Sequence, residues 1–461
     1  MGRRGDRRRL RLRLLLPGGG DHRDHLGHPE RVPASRLNDR RAASAAHLQD
    51  HLRPGRRRPR ADQDHLPRRG REGSASQADE ASEPVLQRVV RRRAPPRTEE
   101  RRAPDPRQQA RSRALLLVDA VKVQAALAAL GQPKFRWDQV RQAVFGKSVS
   151  SYDEILVLPA EIRRALSEQL PLLSVKERRV DVSGDGRAHK ALLNLHDGRV
   201  VETVLLRPSE TRWTTCISSQ VGCAVACTFC ATGLMGLTRS LTPEEITDQV
   251  LFWRQYMAKK GLPGRLDNVV YMGMGEPFAC YEQVSASLKT LLDYKLFGIG
   301  ARHISVSTSG VAPRIALFGR DFPQVNLAIS LHAATDELRT RLVPMNKAFN
   351  LEALAQALKE YIGSTNRKIF FEYVLLKGEN DRPEDAGALV KWLDGVGPKE
   401  LLHVNLIVFN QTDTPHKPTD ENDARIFQQR LLAGGYKSTV RQNLGRDIDG
   451  ACGQLVVLEK A

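Results

Sequence analysis

Short apolar runs alternate with amphipathic segments from residue 211 to near the end of the chain. The apolar runs predict six strands: Trp213–Ser218, Asn268–Met272, His303–Ser307, Val325–Leu331, Lys368–Leu376 and His403–Phe409. Helical apolar spacing predicts a helix after each strand: Pro243–Lys259, Tyr281–Tyr294, Ala312–Phe318, Leu351–Tyr361, Pro383–Leu393 and Glu421–Ala433. Six such pairs are typical of a parallel sheet, either curled into a barrel or doubly wound. In both architectures, ligands bind at the carboxyl ends of the strands.

Two segments precede this core. Helical spacing of apolar residues, as in Val121–Leu130, predicts short helices over residues 114–177. Residues 178–210 alternate like paired strands and contain glycine turns. The predicted fold class is therefore α/β, with a small N-terminal helical accessory domain over 114–177, a β-hairpin linker region over 178–210 and a core domain over 211–461.

Composition sets residues 1–113 apart from the rest of the chain. They contain 30 Arg, no Lys and 15 acidic residues, so they carry +15 of the net charge of +19. Without Phe, Tyr, Trp, Ile or Cys, they have too little apolar surface to offset the entropy of ordering, and we predict that they are disordered. The segment is either an arginine-rich arm that binds RNA phosphates or an extension translated before the true start. The absence of lysine favours the second interpretation.

The sequence predicts a soluble, cytoplasmic protein with no membrane partner. No apolar stretch approaches the length of a membrane-spanning helix. The run Leu14-Leu15-Leu16 is too short for a secretory signal. Three of the six cysteines are crowded within eight residues, which favours metal or redox chemistry over a secreted disulfide framework.

The crowded cysteines form a C-x3-C-x2-C loop, Cys223-Ala-Val-Ala-Cys227-Thr-Phe-Cys230, after the first predicted strand of the core. Three thiolates can hold three irons of a cubic [4Fe–4S] cluster and leave the fourth open, where S-adenosylmethionine (SAM) can chelate. A zinc site would need a fourth ligand, and no Cys or His follows at finger-like spacing. The loop therefore predicts a reactive iron–sulfur cluster.

Small and polar residues follow the later predicted strands. Met272-Gly-Met-Gly275-Glu276-Pro277 ends the second strand, where glycine lets the backbone approach a ligand and Glu276 offers a carboxylate to the ammonium group of SAM. Other polar residues end the third, fourth and sixth strands, and each alone would be an ordinary loop or capping group. Their shared position at one edge predicts SAM contacts by Gly275, Glu276, Ser307, Ser330, Leu331, His332 and Asn410.

Several motifs together resemble one enzyme family, the radical SAM dual-specificity rRNA/tRNA adenine-C2 methyltransferases. These motifs are Cys216-Ile-Ser-Ser-Gln-Val-Gly-Cys223, the cysteine loop, Gly-Met-Gly-Glu-Pro, Ser-Thr-Ser-Gly and Asp447-Ile-Asp-Gly-Ala-Cys452-Gly-Gln-Leu455. The resemblance covers about residues 115 to 458. It implies a partial (β/α)6 radical SAM barrel, with an accessory helical domain that helps to hold RNA. It also implies that 2-methyladenosine is formed in 23S rRNA and in tRNA beside the anticodon.

The resemblance further implies a mechanism that uses two SAM molecules per turnover. The first methylates Cys452, and the second yields a 5′-deoxyadenosyl radical that takes hydrogen from the S-methyl group. The methylene radical adds to carbon 2 of the base, which is too electron-poor to displace a methyl group from SAM directly. Cys216 then attacks the Cys452 sulfur to form a transient disulfide, while Glu202 accepts the proton of carbon 2. We expect a monomer that receives electrons from a donor such as flavodoxin or ferredoxin.

Two alternatives stay open. The sister family that methylates carbon 8 of the same rRNA adenine and confers antibiotic resistance shares the cysteine loop and both lone cysteines, but Gly275-Glu276-Pro277 and the long N-terminal domain favour carbon 2. A noncatalytic iron–sulfur RNA-binding protein would need none of Cys216, Cys452 and Glu276, and the presence of all three argues against it. Cys280 matches no assigned role and is interpreted as an ordinary buried or helix-start cysteine.

Overall fold

The computed structural model describes residues 120–456. The arginine-rich segment 1–113, predicted to be disordered, lies outside the described residues. The predicted helical segment is described from its seventh residue onward, and the predicted core up to residue 456.

Three short helices begin the described chain: α1 (Ala120–Ala129), α2 (Phe135–Arg141) and α3 (Ala160–Gln169). A π-helical turn continues α2. Gly131, with a φ of +69°, takes the left-handed conformation just after α1, where a side chain would be strained. The apolar faces of these helices are buried in a hydrophobic core that includes Val123, Leu127, Val140, Val144 and Leu166.

The strands of the described chain are β1 (Val175–Val182), β2 (Ala188–Leu195), β3 (Val200–Ser209), β4 (Arg212–Cys216), β5 (Gln220–Gly222), β6 (Leu237–Ser240), β7 (Arg265–Tyr271), β8 (Ile304–Thr308), β9 (Asn326–Ser330), β10 (Ile369–Leu375), β11 (Leu402–Val408) and β12 (Lys437–Val440). Ten of them form one sheet in the order β1-β2-β3-β4-β7-β8-β9-β10-β11-β12. The remaining two, β5 and β6, pair as a separate antiparallel hairpin.

The pairing of neighbouring strands changes from antiparallel to parallel at β4. From β1 to β4 its neighbours are antiparallel, and from β4 to β12 every neighbouring pair is parallel. Among the described strands, β1 and β12 are the two ends of the sheet, so it does not close. The predicted partial barrel is confirmed. The antiparallel strands extend this sheet at its β4 side. The division into a helical domain, a linker region and a core domain stays a prediction.

The helices that follow the core strands are α4 (Ala231–Leu234), α5 (Pro243–Lys260), α6 (Tyr281–Leu292), α7 (Ala312–Asp321), α8 (Asp336–Leu342), α9 (Leu351–Thr365), α10 (Pro383–Asp394) and α11 (Glu421–Ala433). The six long ones overlap the six predicted helices. Local signals explain such agreement at α5, which starts with a capping box between Thr242 and Glu245 and ends at Gly261, with a φ of +61°.

One buried arginine ties together loops at the carboxyl ends of the parallel strands. Arg339 of α8 is fully buried. Its guanidinium donates to the carbonyl oxygen of Leu331 at 3.1 Å, to that of Ser309 at 2.5 Å and to Asn346 Oδ1 at 2.9 Å. Burial lowers the pKa of Arg339 to about 10, so it remains a cation at neutral pH. The loops after β8 and β9 are therefore joined through one side chain.

Arg339→Leu should destabilise the protein because it leaves the buried Ser309 carbonyl oxygen and Asn346 Oδ1 without their donor. We expect a loss of about 3 kcal/mol or more, measured as a lower midpoint of thermal or denaturant unfolding. Arg341→Leu is the matched control, because Arg341 lies on the same helix but is exposed. Equal stability of the two variants would contradict this role of Arg339.

Candidate active site

The cysteine loop is positioned by close backbone contact at the β5–β6 hairpin. Gly222 has a φ of +78°, and a Cβ atom there would lie 1.8 Å from the Gly236 carbonyl oxygen. Only glycine fits such an approach. The next residue, Cys223, donates its N–H to the same oxygen at 3.0 Å. The loop therefore leaves the hairpin in a fixed direction.

A first cavity, of about 160 Å³, lies between this loop and the carboxyl ends of the parallel strands. The structure brings most of the predicted site residues together here. The cavity is lined by Cys223, Cys227, Cys230, Gly275, Glu276, Ser307, Ser330 and His332, and also by Cys452. The prediction that strand ends of the sheet converge on one ligand site thus agrees with the geometry.

The three thiols of the loop have the chemistry of cluster ligands. Burial raises the pKa of Cys223, Cys227 and Cys230, so without a metal these groups are neutral thiols. Within residues 120–456, no three His, Cys, Asp or Glu side chains converge closely enough to hold a single metal ion. A cubic [4Fe–4S] cluster fits three thiols on one loop, because each thiolate binds a different iron.

Glu276 is a buried carboxylate held by backbone amides. The N–H of Ser309 donates to Glu276 Oε2 at 2.7 Å, and the N–H of Phe278 donates to Oε1 at 2.9 Å. Burial raises the pKa of Glu276, and these two donors oppose that rise. Each carboxylate oxygen can accept a further hydrogen bond. Ser309 lines the same cavity, so polar groups remain for a ligand.

Two serines and a histidine near the ends of β8 and β9 line the same cavity. Ser307 Oγ and Ser330 Oγ are 3.0 Å apart. His332 has a φ of +61°, and its Nδ1 accepts from the Val374 N–H at 3.1 Å. Burial, together with Arg339, lowers the pKa of His332 to about 3. His332 is therefore a neutral imidazole that carries its proton on Nε2.

Two predicted SAM contacts do not line the first cavity. The side chain of Leu331 is fully buried in the hydrophobic core, and its backbone bonds to Glu372 and Arg339. Asn410 is also buried; its Nδ2 donates to the Cys452 carbonyl oxygen at 3.0 Å, while its Oδ1 has no partner among residues 120–456. Asn410 thus fixes the backbone that carries Cys452.

A second cavity, of about 530 Å³, holds the two lone cysteines. Cys216 at the end of β4, Cys452 and Cys230 all line it, and Cys216 and Cys452 are not bonded to each other. Cys216 is buried, whereas Cys452 is exposed. Burial, followed by the neighbouring Cys452, raises the pKa of Cys216 to about 12. The second cavity therefore joins both lone cysteines to one ligand of the cysteine loop.

The backbone around Cys452 is fixed from several sides. Gly453 and Leu455 accept hydrogen bonds through their carbonyl oxygens, from the Ala231 N–H at 2.9 Å and from Thr232 Oγ1 at 2.5 Å. Both donors follow Cys230 directly, at the start of α4. The Cys452 side chain is therefore carried on a held backbone beside the cysteine loop.

Glu202 lies next to this segment but lines neither cavity. It is buried, and its Oε1 pairs with Lys190 Nζ at 3.2 Å. Its Oε2 accepts from the Val456 N–H at 2.8 Å. Burial raises the pKa of Glu202, and Lys190 opposes that rise. In this arrangement, Glu202 and Lys190 anchor the segment that carries Cys452.

Sequence reasoning did not identify Lys190 or Arg441. Lys190 lies in a run that predicts a strand, and nothing in that run distinguishes it from an exposed strand residue. Arg441 follows β12, a strand that the apolar pattern did not predict. Cys280 is buried in the turn before α6, in agreement with its interpretation, although its role stays untested. None of the helices over residues 120–456 could span a lipid bilayer.

Comparison with known proteins agrees with this geometry. A family model of the radical SAM superfamily matches residues 217–390. The "Probable dual-specificity RNA methyltransferase RlmN" of Salinispora tropica is 43% identical over 347 residues, which cover 73% of this chain and 91% of that protein. The protein of the same name from Listeria welshimeri is 40% identical and covers 71% of this chain and 89% of its own length.

A solved structure agrees with both sequence comparisons. The radical SAM methyltransferase from Sphaerobacter thermophilus superposes with a TM-score of 0.68 at 41% sequence identity, and the match covers 73% of this chain and 97% of that one. Identity of this degree over nearly the whole length of the relatives extends beyond the fold to the family. The chain therefore belongs to the dual-specificity RNA methyltransferases of the radical SAM superfamily.

Proposed function

We propose that this enzyme forms 2-methyladenosine in 23S rRNA and in tRNA beside the anticodon, through a methyl-cysteine intermediate on Cys452. One observation carries the proposal: Cys216 and Cys452, unbonded, line one cavity together with Cys230 of the cysteine loop. A noncatalytic RNA-binding protein has no use for two reduced cysteines placed this way.

Three thiols and the strand ends hold the cofactors. Cys223, Cys227 and Cys230 bind a [4Fe–4S] cluster, and SAM is contacted by Gly275, Glu276, Ser307, Ser330, Leu331, His332 and Asn410. When bound, the cluster and SAM supply the 5′-deoxyadenosyl radical, and two SAM molecules are used per turnover. Leu331 and Asn410 line neither cavity, so their contact with SAM rests on the family resemblance.

Three residues of the protein accept the methyl group, resolve the adduct and accept the proton. Cys452 is exposed on a held backbone and receives the methyl group, and Cys216 resolves the adduct through a transient disulfide. Glu202 accepts the proton of carbon 2. Because Glu202 is occupied by Lys190 and the Val456 N–H, the segment around Val456 has to move before this carboxylate reaches a base.

The remaining assignments concern RNA binding, oligomeric state, cellular location and the electron donor. The helical domain over 114–177 helps to hold RNA, the strands over 178–210 link it to the core domain over 211–461, and the enzyme acts as a cytoplasmic monomer. An electron donor such as flavodoxin or ferredoxin reduces the cluster. The names of the relatives, dual-specificity RNA methyltransferases, support RNA as the substrate.

Anaerobically purified protein should contain one oxygen-sensitive [4Fe–4S] cluster, because the cysteine loop supplies three thiolates and leaves one iron open. Replacing Cys223, Cys227 or Cys230 with Ala should abolish the iron and sulfide content and the visible absorbance. Cys280→Ala is the matched control, since Cys280 is buried outside the loop and should leave the cluster unchanged. Stoichiometric zinc without iron would refute the cluster assignment.

The position of methylation is tested on RNA. Digested rRNA and tRNA from cells with and without the gene should differ in 2-methyladenosine, measured by mass spectrometry against synthetic standards. The relatives' dual-specificity name disfavours the carbon-8 enzyme, and gene-dependent 8-methyladenosine would reverse this conclusion. Unchanged methylation in both RNAs would instead support a noncatalytic protein.

The two lone cysteines should fail at different steps. Cys452→Ala should give neither product nor covalent adduct, because the acceptor of the first methyl group is missing. Cys216→Ala should accumulate protein linked to RNA through Cys452, because a thioether is stable until a second thiol attacks its sulfur. Denaturing gels and mass spectrometry of the cross-link distinguish the two. Normal turnover of Cys216→Ala would rule out the methyl-cysteine mechanism here.

A further inference from the structure

Arg441 lies where the two cavities meet. It follows β12 directly and lines both the first and the second cavity. Within the described part of the chain, it is the one Lys, Arg, Asp or Glu that lines the second cavity. A single cation therefore faces the space that holds Cys216 and Cys452.

The guanidinium is held from one side. Arg441 Nη1 donates to Glu372 Oε2 at 3.1 Å, and Glu372 Oε1 accepts from Asn405 Nδ2 at 2.9 Å. No other described side chain accepts from the Arg441 guanidinium, which has five N–H groups in all. The Glu372–Asn405 support fixes Arg441 and leaves donors for another anion.

The neighbouring Cys452 thiol, followed by Glu372 and Cys216, raises the pKa of Arg441, against the effect of burial. Once the sulfur of Cys452 is alkylated, Cys216 is the ionisable lone cysteine that remains beside this cation. Cys216 is buried, and burial with the neighbouring Cys452 raises its pKa to about 12, while Arg441 opposes that rise. On β3, Glu202 is neutralised by Lys190, and the residue paired with Cys216 is Val204. On β7, its partner is Val270. The thiol of Cys230 lines the same cavity but carries no positive charge.

We propose that Arg441 is a positioning residue for the final step, where its guanidinium stabilises the Cys216 thiolate that releases the methylated base. This inference rests on the proposed function. The thiolate attacks the sulfur of Cys452–S–CH2–adenine; an S–S bond forms and the S–CH2 bond breaks. The electron pair passes to the methylene carbon, which takes up the proton that Cys216 gave up. The carbon is reduced and the two sulfurs are oxidised, so no further reductant or oxidant is needed.

The test compares reconstituted holoenzymes on an unmodified tRNA transcript under anaerobic conditions, with quenching in denaturant. Arg441→Met should form the protein–RNA adduct, as Cys216→Ala does, but convert it slowly. The thiolate fraction falls tenfold per unit of pKa while the nucleophilicity rises, so the step slows roughly threefold for each unit by which the Cys216 pKa rises. Arg441→Lys should restore part of the rate, because it keeps the charge.

The pH profile separates this role from a structural one. The rate of adduct decay should level off at higher pH in Arg441→Met than in the unaltered enzyme, with cluster content unchanged. Arg446→Met is the matched control, because Arg446 is exposed and lines neither cavity. An identical pH profile in Arg441→Met, or no adduct where Cys216→Ala makes one, would overturn the proposal. No adduct in Cys216→Ala itself would overturn the proposed function instead.

Discussion

Charged and ionisable groups at the carboxyl edge of the sheet must be held where little water reaches them. Each carboxylate there has its own partner: Glu276 accepts from two backbone amides, Glu202 pairs with Lys190, and Glu372 pairs with Arg441. Such partners offset the cost of burial. In the cysteine loop, Cys227 has the cation Arg339 nearby, but burial outweighs it and raises the pKa of the thiol. The cluster proposed above would supply the missing positive charge.

The sequence predicted the parts of the fold that are long and regular. The runs that became β7 to β11 are apolar because both faces of a parallel strand are covered. Such continuous apolar runs are readily predicted as strands. β12 was missed because Lys437–Val440 is short and half polar. The β5–β6 hairpin was missed because its strands are held by backbone approach at Gly222 and Gly236 rather than by apolar patterning.

The sequence predicted those parts of the candidate site that residue type and spacing identify, such as the cysteine loop. Contacts between distant parts of the chain leave no such pattern. Glu202 reaches the Val456 amide across most of the core sequence, and Asn410 reaches Cys452. Pairings like these follow from strand order and register, which one sequence without its relatives does not reveal. Lys190 and Arg441 became apparent only from their neighbours.

The exposed thiol of Cys452 stands on a backbone pinned to α4 and to Asn410. While these backbone contacts hold, the sulfur changes position by rotation about the bond between Cα and Cβ. The reach of the sulfur is then the length of one cysteine side chain. The methyl donor, the adenine base and the Cys216 thiol therefore all have to come within this reach of the Cys452 sulfur. Because they share one sulfur, they have to do so one after another.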